Sequence, residues 1–362
     1  MTRPVRARID LSALTSNLSR ARRAAPDSRV MAVIKADGYG HGMVPVAGAL
    51  EAADAFAVAS LEEGVLLREA GVDKPLLLLE GVFAVEELVA AASHQFELVV
   101  HRPAQLEWIQ ALDRGVKLTV WLKVNTGMNR LGFAPHEALA VWDQLAAMPQ
   151  VVEQHWMSHF SCADDPPHPA NSGQEVIFQN LCAQREAPRS LANSAALLTR
   201  PSSHLEWVRP GIMLYGASPM VAGQASPIEL SPVMTFSSEL IATHSCCKGD
   251  AIGYGQAWTC PEDMRVGIVA AGYGDGYPRH APSSTPVLVN GKTVPLIGRV
   301  SMDMLCVDLR TQPDTSAGDP VVLWGEGLPV ETVAEAAGTI SYELLCGVTS
   351  RVPRVYASGD AD

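Results

Sequence analysis

Short apolar runs alternate with amphipathic segments through the first two-thirds of the chain. Eight runs have the continuous apolar character of strands that are buried on both faces. They are Val30–Ala36, Ala55–Ser60, Pro75–Glu80, Phe96–His101, Leu118–Asn125, Val152–Phe160, Ser190–Ala195 and Glu206–Gly211. Segments with helical spacing lie between them at Val44–Ala53, Leu61–Ala70, Val85–Ala92, Pro103–Leu112, Pro135–Ala147 and Gly173–Ala187. Because eight parallel βα units suit a closed sheet better than an open one, the pattern predicts a (β/α)8 TIM-type barrel, an α/β fold.

The pattern changes near residue 217, where prolines punctuate a linker-like stretch. Apolar and polar residues then alternate with period two in Val233–Ile241, Arg265–Ala271, Thr285–Val289, Thr293–Leu296, Met302–Asp308 and Pro320–Leu323. Asn290-Gly291 is a hairpin signal, and Val330–Ala337 has helical spacing. The sequence therefore predicts a barrel over residues 1–230 and a mainly β domain over residues 231–362. The opening run Val5–Leu11 is strand-like and can pair with either domain.

Composition is that of a globular protein with a large core. Hydrophobic residues make up 48% of the 362 residues and charged residues 18%, which excludes a disordered chain. Lys and Arg number 27 against 39 Asp and Glu, so the net charge is −12, and the sequence has no basic run. Nucleic-acid binding depends on a basic face, so we expect no nucleic-acid partner.

Neither a membrane span nor a secretory leader is predicted. Apolar stretches such as Pro75–Leu79 fall far short of the roughly 20 residues that cross a bilayer. The apolar start Ile9–Leu14 is interrupted by Asp10 and does not resemble a signal peptide. The seven cysteines include no CxxC pair and no zinc-ligand spacing, which indicates reduced thiols and no metal site. We therefore expect a cytoplasmic protein.

The sharpest local feature is the segment Val33-Ile-Lys-Ala-Asp-Gly-Tyr-Gly-His-Gly42. A predicted strand ends near Lys35, and glycines follow at alternate positions. Because barrel active sites lie at the carboxyl ends of the strands, Lys35 is expected at the barrel mouth. A lysine amine that is desolvated there can form a Schiff base with a carbonyl compound. This stretch alone does not identify the carbonyl compound.

The Lys35 segment resembles the cofactor-lysine motif of bacterial alanine racemases, which use pyridoxal 5′-phosphate. Further motifs of that family follow in order between about residues 5 and 356. They are Lys123-Val-Asn-Thr-Gly-Met-Asn-Arg-Leu-Gly132, Met157-Ser-His-Phe160, Ala192-Asn-Ser-Ala-Ala196, Arg209-Pro-Gly-Ile-Met-Leu-Tyr-Gly216, Gly253-Tyr-Gly255, Gly272-Tyr-Gly-Asp-Gly-Tyr-Pro-Arg279, Gly298-Arg-Val-Ser-Met-Asp-Met304 and Ser341-Tyr-Glu343. The resemblance implies the fold predicted above and interconversion of L-alanine and D-alanine, in either a biosynthetic or a catabolic role.

The cofactor phosphate is expected near the seventh and eighth barrel strands, whose loops often bind phosphate. Ser194 and Gly211 follow these predicted strands. The Ser194 hydroxyl and the main-chain N–H groups of Gly211 and Ile212 suit an anion. The resemblance adds Tyr39 and Tyr342 to the phosphate ligands.

Arg209 resembles the residue that faces the pyridine nitrogen of the cofactor. An arginine cannot accept a proton and disfavours a cationic ring. The ring then withdraws electrons less strongly than in enzymes that place a carboxylate there, which favours racemisation with a short-lived carbanion. His159 resembles the link between Arg209 and the catalytic tyrosine, and also suits a hydrogen-bonded core histidine.

Racemisation removes a proton from one face of Cα and delivers one to the other, so two acid/base groups are needed. The resemblance implies that Lys35 is one and Tyr254 the other. A phenol becomes a base only where nearby cations favour the phenolate form. In the family this tyrosine comes from the second subunit, which makes a homodimer obligatory. From its neighbours alone, Tyr254 would be assigned as a strand aromatic.

Lys123 and Arg130 are predicted near the end of the fifth barrel strand, where two cations would repel each other. The family often carbamylates this lysine with carbon dioxide, which turns a cation into an anion that orients the arginine. We therefore predict a carbamylated Lys123, with Arg130 contacting the substrate carboxylate. The resemblance also implies that the Met302 main chain binds substrate. It implies that Tyr273 and Tyr342 narrow the entrance to the active site. Arg279 and Asp303 are expected outside the residues that contact the substrate, next to those that do.

Three alternatives to an alanine racemase agree less well with the sequence. A non-catalytic pyridoxal phosphate carrier on the same barrel would need neither the β domain nor Tyr254 and Met302. An amino acid decarboxylase of this fold type requires a different C-terminal constellation of cysteine and acidic residues. A broad-specificity racemase of the cell envelope is disfavoured because neither a leader nor a disulfide framework is predicted.

Overall fold

The computed structural model describes residues 3–357 and contains the predicted closed barrel. The first strand, β1 (Arg6–Asp10), belongs to a separate sheet. The eight parallel barrel strands are β2 (Arg29–Val33), β3 (Ala55–Val58), β4 (Leu76–Leu78), β5 (Phe96–Val100), β6 (Leu118–Lys123), β7 (Val151–Met157), β8 (Arg189–Ser190) and β9 (Trp207–Val208). The prediction of an α/β barrel is confirmed.

The last two barrel strands are much shorter than predicted. Strand β8 ends at Ser190 because the chain turns into a helix at Ser194. The Asn193 side chain accepts a hydrogen bond from the Ala196 N–H at 3.0 Å and caps that helix. Strand β2 also ends early, at Val33, because the backbone reverses its handedness directly after Lys35.

Most of the helical segments lie in the barrel half of the chain, and the last two lie in its second half. They are α1 (Leu11–Ala24), α2 (Lys35–Tyr39), α3 (Met43–Ala49), α4 (Leu61–Glu69), α5 (Glu86–Ser93), α6 (Pro103–Ala111), α7 (Pro135–Ala146), α8 (Pro169–Cys182), α9 (Ser194–Thr199), α10 (Val330–Ala337) and α11 (Ser341–Cys346). The Asp10 carboxylate caps α1 by accepting from the N–H groups of Ser12 and Ala13 at 2.9 and 3.0 Å. In residues 3–357 we find no helix with the length and apolar composition that crossing a bilayer requires.

The second half of the chain forms a mainly β unit, as predicted. Its strands are β10 (Met234–Cys246), β11 (Ala251–Ile252), β12 (Trp258–Thr259), β13 (Met264–Val269), β14 (Pro286–Val289), β15 (Lys292–Ile297), β16 (Leu305–Asp308), β17 (Pro320–Trp324) and β18 (Arg354–Ala357). The order in the large sheet is β13-β16-β15-β14-β17-β10-β1-β18. Asn290 and Gly291 form the hairpin turn between β14 and β15.

Strand β1 joins this sheet, where it pairs antiparallel with β10 and parallel with β18. The predicted strand Met302–Asp308 begins three residues late, because the Met302 carbonyl accepts from the Gly274 N–H at 2.8 Å and lies in a loop. One continuous apolar core runs through the barrel, α1 and the large sheet, so the two halves share buried contacts. A smaller core lies around Ile252, Cys260 and Met264.

Candidate active site

A cavity of about 560 Å³ opens at the carboxyl ends of the barrel strands. Ten of the residues that the sequence singled out line it: Lys35, Tyr39, Lys123, Arg130, His159, Ser194, Arg209, Gly211, Ile212 and Tyr342. Concave sites with convergent polar groups at this end of a barrel are the usual place for ligand binding and catalysis. The cavity is therefore the candidate active site.

A single left-handed turn brings Lys35 and Tyr39 into this cavity. Ala36, Asp37 and Tyr39 have φ values of +54°, +53° and +52°. For residues other than glycine this conformation costs roughly 1–2 kcal/mol each, so other contacts must hold the turn. At Gly40 a side chain is excluded, since a Cβ would lie 2.2 Å from the Leu345 carbonyl oxygen.

Hydroxyl and main-chain N–H groups converge on one wall of the cavity. The Ser194 Oγ accepts from the Gly211 N–H at 2.8 Å, which leaves the hydroxyl proton free for another acceptor. A Cβ on Gly211 would lie 2.5 Å from the Tyr39 hydroxyl oxygen, so the tyrosine and the glycine backbone are in close contact. Burial raises the pKa of Tyr39 well above its usual range, and the neighbouring Tyr342 adds to the shift. Both the Tyr39 and the Ser194 hydroxyls are thus donors suited to an anion.

Arg209 is 4% exposed and fixes the histidine beside it. Its guanidinium donates to the Ser158 carbonyl at 2.7 Å and to His159 Nδ1 at 3.2 Å. Because arginine only donates, Nδ1 accepts and the imidazole proton sits on Nε2. Burial, followed by the charges of Arg209 and Lys123, holds the pKa of His159 well below its usual range, so the ring is neutral. Burial lowers the Arg209 pKa to about 10, which leaves it cationic at neutral pH.

Lys123, the last residue of β6, lies in an unusually unfavourable place for a cation. Its side chain is buried, with 8% exposed. Burial first, then the positive charges of Arg209, Arg130 and Lys35, lower its pKa to about 7. A much larger fraction of this amine is therefore neutral at pH 7 than of an ordinary lysine, which is neutral in only about one molecule in 10³.

The other five predicted residues lie in the β unit, outside the residues that line this cavity: Tyr254, Met302, Tyr273, Arg279 and Asp303. Tyr254 is 69% exposed and belongs to a short 3-10 turn between β11 and β12, not to a strand. Met302 is 51% exposed. Several other large apolar side chains are exposed to a similar degree, so exposure alone does not mark either residue as part of an interface.

Tyr273, Met302 and Asp303 lie in two loops that are hydrogen-bonded to each other. The Tyr273 N–H donates to the Ser301 carbonyl at 3.0 Å, beside the Gly274–Met302 bond. The Asp303 carboxylate accepts from Arg351 at 2.6 Å. Arg279, six residues after Tyr273, is exposed. The structure thus brings the predicted gate tyrosine and the predicted substrate-binding main chain together.

Some residues outside the cavity form hydrogen bonds with the main chain of the site residues, and the sequence did not identify them. The Gln174 side chain, buried in α8, donates to the His159 carbonyl at 3.0 Å and accepts from the Ser161 N–H at 2.9 Å. The Glu63 carboxylate accepts from the main chain beside Lys35 at 2.7 Å. Neither stands in a motif, since both look like ordinary polar residues of amphipathic helices. Cys346, one helical turn after Tyr342 in α11, also lines the cavity.

Two family models together match most of the chain. The model described as "Alanine racemase, N-terminal domain" matches residues 9–219, and "Alanine racemase, C-terminal domain" matches residues 233–356. The chain belongs to the alanine racemase family. The resemblance inferred from the motifs is thereby confirmed.

Similar members of the alanine racemase family span the same length. The alanine racemase of Nitrosococcus oceani is 53% identical over 96% of this chain and 97% of its own, and that of Nitrosospira multiformis is 51% identical over 98% and 100%. Among solved structures, the biosynthetic alanine racemase of Pseudomonas aeruginosa has a TM-score of 0.95 and 46% identity, covering 98% of this chain and 100% of that one. The Acinetobacter baumannii alanine racemase has a TM-score of 0.93 and 40% identity over the same shares.

Proposed function

We propose that this chain is an alanine racemase that interconverts L-alanine and D-alanine with pyridoxal 5′-phosphate and two acid/base residues. One observation carries the proposal: a lysine at a barrel strand end shares a cavity with anion donors, a buried arginine and a neutral histidine. The family and its full-length relatives support the same reaction. When bound, the cofactor delocalises the electrons that remain on Cα after a proton leaves.

The residues present fit the cofactor. The hydroxyls of Ser194, Tyr39 and Tyr342 and the Ile212 N–H would hold its phosphate. The Gly211 N–H donates to Ser194 Oγ in this structure and would share its proton with the phosphate. Arg209 would face the pyridine nitrogen, where its fixed charge disfavours protonation of the ring. Lys35 would hold the cofactor covalently and, once released by substrate, carry a proton at its Nζ atom on one face of Cα.

Replacing Gly211 by alanine tests the phosphate wall. The new Cβ would lie 2.5 Å from the Tyr39 hydroxyl oxygen and would displace the tyrosine from its stacking on Tyr215, 4.6 Å away between ring centroids. Overpacking of this kind costs about 1–3 kcal/mol, so we expect pyridoxal phosphate affinity to fall about 10- to 100-fold. Titration of the apoprotein with cofactor, followed by absorbance, measures the effect.

Gly48→Ala is the matched control for that titration. No atom outside the local helix backbone lies within 4 Å of a Cβ placed there, so its cofactor affinity is expected to equal the wild type. If Gly211→Ala binds pyridoxal phosphate as tightly as Gly48→Ala, the phosphate does not lie against Gly211.

The low pKa of Lys123 supports a carbamate at this position. Carbon dioxide forms a C–N bond with a neutral amine, which then releases a proton to leave the carbamate anion. A pKa of about 7 supplies the neutral amine at neutral pH. The resulting anion would replace cation–cation repulsion near Arg130 with attraction, and Arg130 would then be oriented toward the substrate carboxylate.

We expect the carbamate to disappear as the pH falls below 7, because protonation removes the reactive amine. In carbon-dioxide-free buffer the KM for alanine should rise about tenfold as Arg130 loses its partner, and bicarbonate should restore it. Carbon-13 NMR with labelled bicarbonate and intact mass measure the occupancy, with Lys117→Arg as an exposed-lysine control. An unmodified Lys123 at pH 8 in bicarbonate would contradict the carbamate.

Tyr254 and Met302 would act across a homodimer, in the cavity of the partner subunit. Neither residue lines the cavity of its own subunit, and both side chains are exposed, which leaves them accessible to a partner. Tyr273 and Tyr342 would narrow the entrance so that a substrate as small as alanine is favoured. Arg279 and Asp303 would act from outside the cavity, Asp303 through its contact with Arg351.

We also infer a cytoplasmic location, since all seven cysteines in the described residues are free thiols.

An absorbance spectrum of the pure protein before and after addition of L-alanine, with D-alanine assayed in the same tube, tests the function. A visible cofactor band together with D-alanine formation is the expected result. A band with an amine product would favour the decarboxylase instead, and a band without any product would favour the carrier. A protein without a band after incubation with pyridoxal phosphate would contradict the cofactor assignment.

A further inference from the structure

The left-handed turn after Lys35 is the most strained segment next to the candidate active site. Four successive residues, from Ala36 to Tyr39, have φ values between +52° and +61°, and only Gly38 adopts them without a steric penalty. Hydrogen bonds inside the turn run from the Gly38 N–H to the Ile34 carbonyl and from the Gly40 N–H to the Ala36 carbonyl, both at 2.9 Å. They leave the Ala36 N–H, next to Lys35, without a partner in the turn.

One carboxylate outside the turn provides that partner. The Glu63 Oε1 atom accepts from the Ala36 N–H at 2.7 Å, and its Oε2 atom accepts from the Ala59 N–H at 2.7 Å. Ala59 directly follows β3, so the carboxylate ties the turn after the first barrel strand to the end of the second. Glu63 itself is fixed by the first turn of α4. It does not belong to the residues that line the cavity.

The chemistry of this clamp requires a carboxylate. Both partners are N–H donors, and an ionised carboxylate has two oxygens that only accept. A glutamine amide in its place has one acceptor oxygen and one NH2 group. The NH2 group, itself a donor, would face one of the two N–H groups. Charge-assisted hydrogen bonds of this length are also about twice as strong as neutral ones, which suits a contact that opposes backbone strain.

We propose that Glu63 is a positioning residue for Lys35: its carboxylate keeps residues 36–39 left-handed, so that the lysine amine and the Tyr39 hydroxyl face the same cavity. The inference rests on the proposed function of Lys35 and deepens it. Glu63 touches no reacting atom and acts through the main chain of Ala36. Its loss changes the position of the lysine amine, and a displacement of about 1 Å costs about 100-fold in rate.

The test compares Glu63→Gln with Glu62→Gln, an exposed neighbour on the same helix, in the holoenzyme. Hydrogen–deuterium exchange with mass spectrometry follows the amides of Ala36 and Ala59. In Glu63→Gln we expect these amides to exchange at least about tenfold faster, and those of β6 to be unchanged. The kcat is expected to fall about 10- to 100-fold, with a change of less than about twofold in the KM for alanine.

A second variant keeps the proposal testable if Glu63→Gln folds poorly. Adding Ala36→Gly to Glu63→Gln removes the steric penalty at one position of the turn, so the double variant should recover at least about a third of the lost kcat. If the Ala36 and Ala59 amides of Glu63→Gln exchange faster while kcat stays at the wild-type value, Glu63 has only a structural role. If these amides exchange at the wild-type rate, the carboxylate does not hold the turn. Either result overturns the proposal. Exchange is measured without turnover, so it reports on the clamp even if the wild-type protein racemises nothing.

Discussion

Lys35→Ala is expected to abolish both the absorbance band of the lysine-bound cofactor and the racemisation of alanine. The lysine would hold the cofactor and then act as the acid/base on one face of Cα, so its removal takes away two roles at once. We expect kcat/KM to fall by at least about 10⁴-fold in both directions. Absorbance spectroscopy of the protein reconstituted with pyridoxal phosphate, and a D-alanine assay, measure the two losses separately.

The phosphate wall does not depend on this lysine. Lys35→Ala should therefore still bind pyridoxal phosphate non-covalently through Ser194, Gly211 and Tyr39. Lys292→Ala, at the exposed first position of β15, is the control and should keep both band and activity. Retention of a borohydride-reducible cofactor adduct in Lys35→Ala would mean that another lysine carries the cofactor.

The sequence predicted the barrel well because strands that are buried on both faces leave a strong signal. The strand predicted over Leu118–Asn125 is β6, which starts where expected and ends two residues earlier, at Lys123. Several residues predicted near the strand ends line the cavity. The short strands β8 and β9 were overestimated, since apolar residues such as Leu191 and Ala192 are buried without being in the sheet. Burial and sheet pairing produce the same sequence pattern.

Contacts between distant residues account for what the sequence could not predict. The handedness of the turn at Ala36 depends on Glu63, 27 residues away, and on the Leu345 carbonyl that excludes a side chain at Gly40. The loop position of Met302 depends on Gly274. No local pattern encodes such pairs, and the family resemblance identified Met302 without indicating its conformation.

The electrostatics of the cavity exclude Tyr39, Tyr342 and His159 as the second base. Burial raises the pKa values of Tyr39 and Tyr342 well above the usual range, so both phenols keep their protons at neutral pH. His159 has no free lone pair, since Nδ1 accepts from Arg209 and Nε2 carries the proton. These three residues are thereby excluded as the second acid/base group that racemisation needs beside the one proposed for Lys35.

Tyr254→Phe is therefore expected to impair one direction of proton transfer selectively. The phenyl ring keeps the shape of the side chain but cannot exchange a proton. Wash-out of the L-alanine α-proton in heavy water, followed by NMR, should slow by about 10³-fold. Exchange from D-alanine, which Lys35 would carry out, should fall less than about tenfold, and the cofactor band should remain. Equal losses for both enantiomers would contradict the assignment of Tyr254 as one of two bases.

Mixing the two inactive variants decides whether Tyr254 acts across a dimer. If it enters the partner's cavity, a mixed dimer of Lys35→Ala and Tyr254→Phe chains has one site with both groups intact and one with neither. Random assortment makes half of the dimers mixed, so co-expression should restore about a quarter of the wild-type activity. Lys35→Ala co-expressed with the double variant Lys35→Ala/Tyr254→Phe has no intact site and should stay inactive. Since a tyrosine acting within its own subunit would leave every mixed site defective, recovery separates the two arrangements without a structure of the dimer.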